Sequence, residues 1–297
     1  MEKLIEFAKI LGIELRKESM GQHTTFKIGG VAFWMHITDL NHLKKLIPFL
    51  NFHNIRHRII GNGSNLLISD SKLDMVFLNL ADDESGIALI SDNILFAPAG
   101  ISLKKLCQVA LEYELGGLEF ASGIPGTLGG AIYMNASAYS SQMSNVLESI
   151  SFLDTTGEEF EIAAETAQFG YRKSIFMNRH FYITGAKLRL TPRNKTEIEQ
   201  KMNLLQKKRA EKQPLNSPSA GSVFKRPEGY FAGALIEECG LKGSKVRDAK
   251  ISDLHTGFIV NLGHASYEDV KQLIGKIQKV VYNQKGIKLE TEIEFIE

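Results

Sequence analysis

Residues Ala121–Asn135 read ASGIPGTLGGAIYMN. Gly123, Gly126, Gly129 and Gly130, with Pro125 and Thr127 between them, lead straight into an apolar run. Without Cβ atoms in the way, backbone N–H groups approach a ligand closely. A concave row of such groups suits the oxygens of a phosphate or diphosphate. The plain alternative for one such stretch is a tight turn between packed elements. A second glycine loop shifts the balance. In HRIIGNGSNLLISD, the run Gly61-Asn62-Gly63-Ser64-Asn65 lies between short strands expected at Arg58–Ile60 and Leu66–Ile68. Asn62 and Asn65 tolerate left-handed backbone, and Ser64 adds a hydroxyl donor. Neither loop closes on Gly-Lys-Ser/Thr, and Leu66 stands where a G-x-G-x-x-G loop needs its third glycine. Two unlike diphosphate-type loops fit a dinucleotide gripped from two sides better than a mononucleotide.

At 297 residues the chain has room for two or three small domains with real cores. Apolar content of 43% and charged content of 23% are those of an ordinary soluble globular protein. With 35 basic and 34 acidic residues, net charge +1, no general attraction to nucleic acid or anionic membrane is implied. No apolar run approaches the roughly 20 residues that span a bilayer. The opening MEKLIEFAKILGIEL is amphipathic and partly acidic, unlike a signal peptide, so a cytoplasmic location is expected. Cys107 and Cys239, the only cysteines, sit on apolar helical stripes and read as core residues rather than a redox pair. His53 and His57 have i,i+4 spacing, but a strand follows at once, so no metal site is expected.

The pattern along the chain is mixed α and β. Helices are expected at Lys3–Leu11, over Leu40, Leu43, Ile47 and Leu50 despite Pro48, and from a Ser102 N-cap to Gly116-Gly117. HTTFKIGGVA reads as a strand broken at Gly29-Gly30. Further strands are expected at Met75–Leu80, Ile87–Ile90, Ile94–Ala97, Glu148–Leu153, Glu159–Ile162 and Phe181–Leu190. Thr191–Asn194 marks a boundary. Beyond it, Ile198, Met202 and Leu205 lie on one face of a helix with a basic end: Lys207, Lys208, Arg209 and Lys212. No aromatic residues interleave those charges, so a solvated helix end is the simpler reading than a nucleic-acid patch. Val270, Leu273, Ile274, Ile277 and Val281 give a helix from Ser266 to just before Gly286. KLETEIEFIE then alternates, with Glu290, Glu292 and Glu294 sharing one face.

Outside the loops, Arg172 in FGYRKSIF offers a planar fork for a carboxylate, although such an arginine is ordinarily a surface residue. Ser222 in NSPSAGSVFKRP follows small residues that would expose its hydroxyl to a cleft, although serine in such a loop more often forms a turn. The glutamate row reads most simply as a wet sheet face. No Ser-His-Asp set is suggested, since Ser222 lies outside a G-x-S-x-G elbow. The residues alone point to a dinucleotide-binding protein whose C-terminal part supplies polar groups.

Taken together, HTTFKIGG, IIGNGSNLLISD, GLEFASGIPGTLGGAIYMNA, YRKS, Arg209-x-x-Lys212-Gln213-Pro214, AGSVFK, LIEECGLKG, SDLHTGFIVN and LETEIEF follow one another in family order. In these motifs the chain resembles the UDP-N-acetylenolpyruvoylglucosamine reductases of peptidoglycan precursor synthesis, and among them the second type, without the tyrosine-bearing lid. The resemblance runs from about His23 to Glu292. It implies an α+β fold of the vanillyl-alcohol-oxidase type: FAD-binding subdomains over 1–80 and 81–192, then a substrate domain over 193–297. It implies non-covalent FAD, NADPH as hydride donor and a monomer. Ile60, Gly61, Asn62, Gly63, Ser64 and Asn65 would hold FAD, with Gly123, Ile124, Pro125, Gly126, Thr127, Gly129, Gly130 and Arg209. Lys212, Lys225 and Tyr171 would meet the UDP-sugar. Ser222 would be the proton donor, with Arg172 and Glu292 as its catalytic companions. An ionised Glu292 would repel a developing enolate, so it is expected protonated or bridged to a cation.

The chain departs from the family pattern at four positions. NASAYS carries Ser137 and Ser140 where glycines are usual, Arg226 replaces an asparagine, and Arg247 replaces a glycine. Two competing readings are another FAD-fold oxidoreductase, such as a small-alcohol or sugar oxidase, and a non-catalytic nucleotide- or nucleic-acid-binding protein. Neither glycine loop carries the His or Cys that covalent flavin attachment needs.

Overall fold

The computed structural model describes all residues, Met1–Glu297. The chain is α+β and divides into two compact units. Unit 1 comprises Met1–Arg16, Phe33–Gly61 and Met75–Lys208; unit 2 comprises Lys17–Ala32, Asn62–Asp74 and Arg209–Glu297.

Unit 1 opens with helix α1 (Glu2–Leu11), closed by Gly12 in left-handed conformation. Helix α2 (Leu40–Phe52) is capped by the Asp39 side chain, which accepts from Asn41 N. Pro48 inside α2 removes the N–H that the Lys44 carbonyl would otherwise meet. The turn at Gly157 closes on that carbonyl so tightly that a Cβ there would stand 2.2 Å from it. Strand Val31–Ile37 pairs in parallel with Val76–Leu80, whose other edge takes His57–Ile59. Leu43, Leu46, Ile47 and Leu50 of α2 pack on this sheet with Met35, Val76 and Leu78.

The rest of unit 1 is a five-stranded antiparallel sheet, with Tyr182–Arg189 central between Leu147–Leu153 and Ile94–Pro98, and with Glu159–Ala163 and Ala88–Ser91 at the edges. Helix α3 (Leu103–Glu112) buries Leu103, Leu106, Cys107, Ala110 and Leu111, the stripe its spacing predicts, behind the expected Ser102 cap. It ends earlier than Gly116-Gly117. Glu114 turns left-handed at φ +55, and Leu115–Gly116 leave to pair with Thr191–Pro192. Helix α4 (Leu128–Tyr133) and helix α5 (Lys195–Lys212) follow, α5 running from unit 1 into the start of unit 2.

Unit 2 holds helix α6 (Ala232–Glu238) and helix α7 (Tyr267–Lys285). Ser266 and Asp269 form a reciprocal capping box at the start of α7, and Gly286, at φ +70, ends it, as the sequence predicts. Ala249–Ile251 is central to a three-stranded antiparallel sheet with Lys245–Val246 and Ile259–Asn261. Glu294–Ile296 pairs in parallel with Leu66–Ile68. Phe26, Ile28 and Leu67 share one core with Val223, Phe224, Ile236, Ile251, Leu273 and Ile277.

Two strand expectations are corrected here. HTTFKI is not a strand, because Lys27 at φ +59 and Gly29 at φ +150 bend it; Phe26 and Ile28 are buried from an irregular segment. KLETEIEFIE is regular strand only over Glu294–Ile296. Its alternation fails there, with Ile296 buried and Phe295 half-buried, and Glu292 is half-buried rather than on a wet face. Both cysteines are buried and free, and burial pushes the Cys107 thiol pKa well up.

Candidate active site

In unit 1 the stretch Ala121–Asn135 is pinned at both ends. The 3-10 turn Glu119–Ala121 leads in, and buried Glu119 accepts from Gly117 N at 3.0 Å while Lys201 Nζ lies 3.4 Å and Arg193 Nη1 3.6 Å from its carboxylate. Thr127 is the N-cap of α4, its Oγ1 accepting from Gly130 N at 3.4 Å. Leu128 N donates to Ile101 O and Gly129 N to Ala99 O, which lays α4 against the strand end before α3. Gly61 comes in from the other glycine loop. A Cβ on Gly61 would stand 2.3 Å from Thr127 Oγ1 and 2.9 Å from its Cγ2. Glycine at 61 therefore serves a close contact with Thr127 within unit 1.

In unit 2 the backbone N–H groups of Asn62, Gly63 and Ser64 meet no acceptor within the chain. Gly63, at φ +59, lies so close to the preceding segment that a Cβ would stand 2.3 Å from His23 O. A glycine-rich turn with three unclaimed amides suits the oxygens of a diphosphate, so the residues present fit FAD. Asn65 turns the other way: its Nδ2 donates to Glu292 O at 3.1 Å and its carbonyl accepts from Glu294 N at 2.9 Å.

Ser222 and Glu292 are brought together in unit 2. Residue 222 bridges Phe258 on one side, and Phe224 bridges Thr291 on the other. Glu292 N donates to Val223 O at 2.8 Å and Lys225 N to Glu290 O at 2.8 Å. Glu292 is thus in register with Val223, one residue from Ser222. Lys225 Nζ lies 3.4 Å from Glu290 Oε2. Arg209 is half-buried and Lys212 exposed at the end of α5. Arg226 stacks its guanidinium over the Phe231 ring at 3.9 Å. Arg247 occupies left-handed backbone at φ +47, which explains why glycine suits that turn.

Arg172 belongs to unit 1 and sits in a tight turn at φ +51, where Gly170 and Lys173 exchange backbone hydrogen bonds. Its guanidinium lies 5.5 Å from the centre of the exposed Tyr171 ring. The turn is bound to the exit of α4. Buried Asn135 donates Nδ2–H to Gly170 O at 3.0 Å, and fully buried Ser174 donates its hydroxyl to Tyr133 O at 2.7 Å. The sequence motifs contain both residues but give no sign of this work. A small polar residue closing an apolar run, as Asn135 does after AIYM, was the available signal.

The comparisons bear on both units. Residues 32–163 match a family described as "FAD binding domain", and residues 213–296 one described as "UDP-N-acetylenolpyruvoylglucosamine reductase, C-terminal domain". A UDP-N-acetylenolpyruvoylglucosamine reductase of Caldanaerobacter subterraneus subsp. tengcongensis is 43% identical over all of this chain and 97% of its own length. The chain belongs to the UDP-N-acetylenolpyruvoylglucosamine reductase family. A reductase of that name from Clostridioides difficile is also 43% identical, over 94% of this chain and 92% of its own. The crystal structure of a UDP-N-acetylenolpyruvylglucosamine reductase from Thermus caldophilus aligns with a TM-score of 0.82 at 34% identity, covering 96% of this chain and all of that one. The family is one of FAD-dependent oxidoreductases, so a non-catalytic binding protein is set aside and a small-alcohol or sugar oxidase is not favoured. Ser137 Oγ accepts from Arg172 Nη1 at 2.9 Å.

Proposed function

We propose that this chain reduces UDP-N-acetylenolpyruvoylglucosamine to UDP-N-acetylmuramate at the expense of NADPH. The observation that carries the reading is the adjacency of Ser222 and Glu292, in register within one residue, in a chain with full-length relatives of that activity. When bound, FAD would supply the redox chemistry, carrying hydride from NADPH to the methylene carbon of the enolpyruvyl group. Along the chain, 1–80 and 81–192 hold FAD and 193–297 the substrate. Ile60, Gly61, Asn62, Gly63, Ser64 and Asn65, with Gly123, Ile124, Pro125, Gly126, Thr127, Gly129, Gly130 and Arg209, are the residues proposed to grip the cofactor. Lys212 and Lys225 meet the substrate's diphosphate, with Tyr171 as a further contact.

Hydride arrival leaves negative charge on the neighbouring carbon, spreading onto its carboxylate. Arg172 neutralises that charge where it develops. Ser222 then gives its proton to the carbon. A serine hydroxyl is a feeble acid in water, but a carbanion-like carbon is basic enough to take its proton when the geometry is held. Glu292, one step along the register, is the group that returns a proton to Ser222.

Ser222→Ala tests the assignment by separating the half-reactions. NADPH should bleach the flavin at near-normal rate, while reoxidation by UDP-N-acetylenolpyruvoylglucosamine falls by about a thousandfold, within the range of a lost general acid. Equal loss in both half-reactions would remove Ser222 from the proton-donor role.

A further inference from the structure

The motif SDLHTGFIVN, Ser252–Asn261, turns around His255 in unit 2. Ser252 Oγ accepts from Leu254 N at 3.2 Å and from His255 N at 3.3 Å, and Thr256 Oγ1 donates to Gly233 O at 2.6 Å. The half-buried imidazole folds over its own chain, so that Nδ1 accepts from Gly257 N at 3.1 Å. An Asx turn makes the same bond, from a side chain to the backbone two residues on. A Cβ on Gly257 would stand 2.9 Å from the ring's Cε1, so glycine lets the ring close on this peptide. The His255 carbonyl takes Phe258 N at 2.9 Å, and the Phe258 ring meets the imidazole edge-on at 4.9 Å. The peptide joining Gly257 to Phe258 adjoins the Ser222 segment. Gly257 O accepts from Val223 N at 2.9 Å, Ser222 bridges Phe258 antiparallel, and Val223 O accepts from Glu292 N at 2.8 Å.

We infer that His255 is a positioning residue for Ser222, holding through Gly257 the strand against which Ser222 is aligned. The inference rests on the reading that Ser222 donates the proton. Hydrogen bonds run in line from the imidazole to Gly257, from Gly257 to Val223 and from Val223 to Glu292. Gly221, just before Ser222, is left-handed at φ +78 and brings no side chain to the turn. Alignment of Ser222 therefore leans on the Gly257–Phe258 side. Gly257 is itself a glycine, and an acceptor on its N–H fixes the tilt of its peptide. The Nδ1 lone pair is that acceptor, which puts the ring proton on Nε2. Burial disfavours the charged ring and so keeps the lone pair in place. A proton donor works only within hydrogen-bond reach of the accepting atom. A tilt of this peptide is thus felt in proton transfer and not in reduction of the flavin.

The test compares His255→Asn, His255→Gln and His255→Phe. Asparagine places its Oδ1 where Nδ1 stands and keeps the bond to Gly257 N. Glutamine reproduces the Nε2 edge instead, and phenylalanine keeps only the ring. In FAD-loaded enzyme, reoxidation by UDP-N-acetylenolpyruvoylglucosamine should slow about fivefold in His255→Gln and His255→Phe, the size of one modest hydrogen bond. NADPH bleaching should stay at the parent rate in all three, and His255→Asn should be reoxidised like the parent. Because His255 acts through Ser222, adding His255→Gln to Ser222→Ala should cost nothing further. Independently of turnover, amide hydrogen exchange at Gly257 and Val223 should quicken in His255→Gln and not in His255→Asn. The asparagine and glutamine variants decide the matter even where His255→Phe does not fold. Reoxidation of His255→Gln at full rate, His255→Asn as slow as His255→Gln, or equal slowing of both half-reactions overturns the inference while Ser222→Ala stays slow. A Ser222→Ala enzyme at full rate overturns the reading beneath it.

Discussion

Gly61 shows how much one atom decides. Its backbone does not require glycine, since it is not among the positive-φ positions. What excludes a side chain is Thr127, whose Oγ1 and Cγ2 would lie 2.3 and 2.9 Å from a Cβ. Thr127 is itself buried and caps α4, so it cannot swing away cheaply. Gly61→Ala is expected to destabilise the protein by about 1–3 kcal/mol, the usual cost of overpacking, and to weaken FAD binding. Thr127→Ala removes both clashing atoms, so the double variant should melt above the sum of the two single losses. Additive losses in a thermal melt would show that the two loops do not press on each other. The glycines could be read from the sequence as a candidate ligand loop, but that Gly61 answers to a neighbouring side chain could not. Arg172 stood out as a candidate because its fork has an obvious chemistry, whereas its 2.9 Å hydrogen bond to Ser137 Oγ is visible only in the fold.

At the scale of elements, periodicity read α2, α3 and α7, each of which buries one stripe, whereas α4 was read only as an apolar run. Caps set the limits of α7, and Ser266 and Gly286 are both where the sequence places them. Strands were harder, since an apolar run such as HTTFKI is written the same whether it pairs or merely buries Phe26 and Ile28. Strand His57–Ile59 begins on a histidine with a consequence for pH. Its Nδ1 lies 2.8 Å from Ile55 O, a bond that carries the ring proton, so Nε2 accepts from Tyr182 OH at 2.7 Å. Burial, with His180 nearby, holds the His57 pKa below its ordinary value despite the Ile55 bond. The unfolded chain therefore takes up this proton first as pH falls through about 6.5. Stability from this group is full above that pH and declines below it until the folded pKa is reached. His255 in unit 2, also depressed by burial, adds the same sign. Melting temperature should fall on acidification below about pH 6.5. His57→Gln, which keeps a donor and an acceptor but cannot charge, should flatten that fall. An unchanged slope in the variant would rule His57 out as a contributor.

At the scale of the molecule, the C-terminal stretch depends on residues far away in sequence. Unit 2 gathers Lys17–Ala32 and Asn62–Asp74 around Arg209–Glu297. Phe26, Ile28 and Leu67 lie in its core, and Leu66–Ile68 is the strand beside which Glu294–Ile296 pairs. Tyr267 N, at the head of α7, donates to Asp70 Oδ2 at 2.5 Å, and Asn261 Nδ2 to Phe26 O at 3.1 Å. None of this is written locally, because a parallel partner more than 200 residues away leaves no mark on the spacing of either strand. The family match over 213–296 alone would suggest a separable domain; the packing argues otherwise. A fragment of residues 209–297 would expose the apolar faces that Phe26, Ile28 and Leu67 cover, and leave the last strand unpaired. It is expected to show no cooperative thermal transition by circular dichroism. In the full chain, Leu67→Ala should cost about 2–5 kcal/mol, as for other buried leucines truncated in a packed core. A sharp melt for the isolated fragment, or a Leu67→Ala chain as stable as its parent, would mean that the residues from 209 onward form their core without the two N-terminal segments.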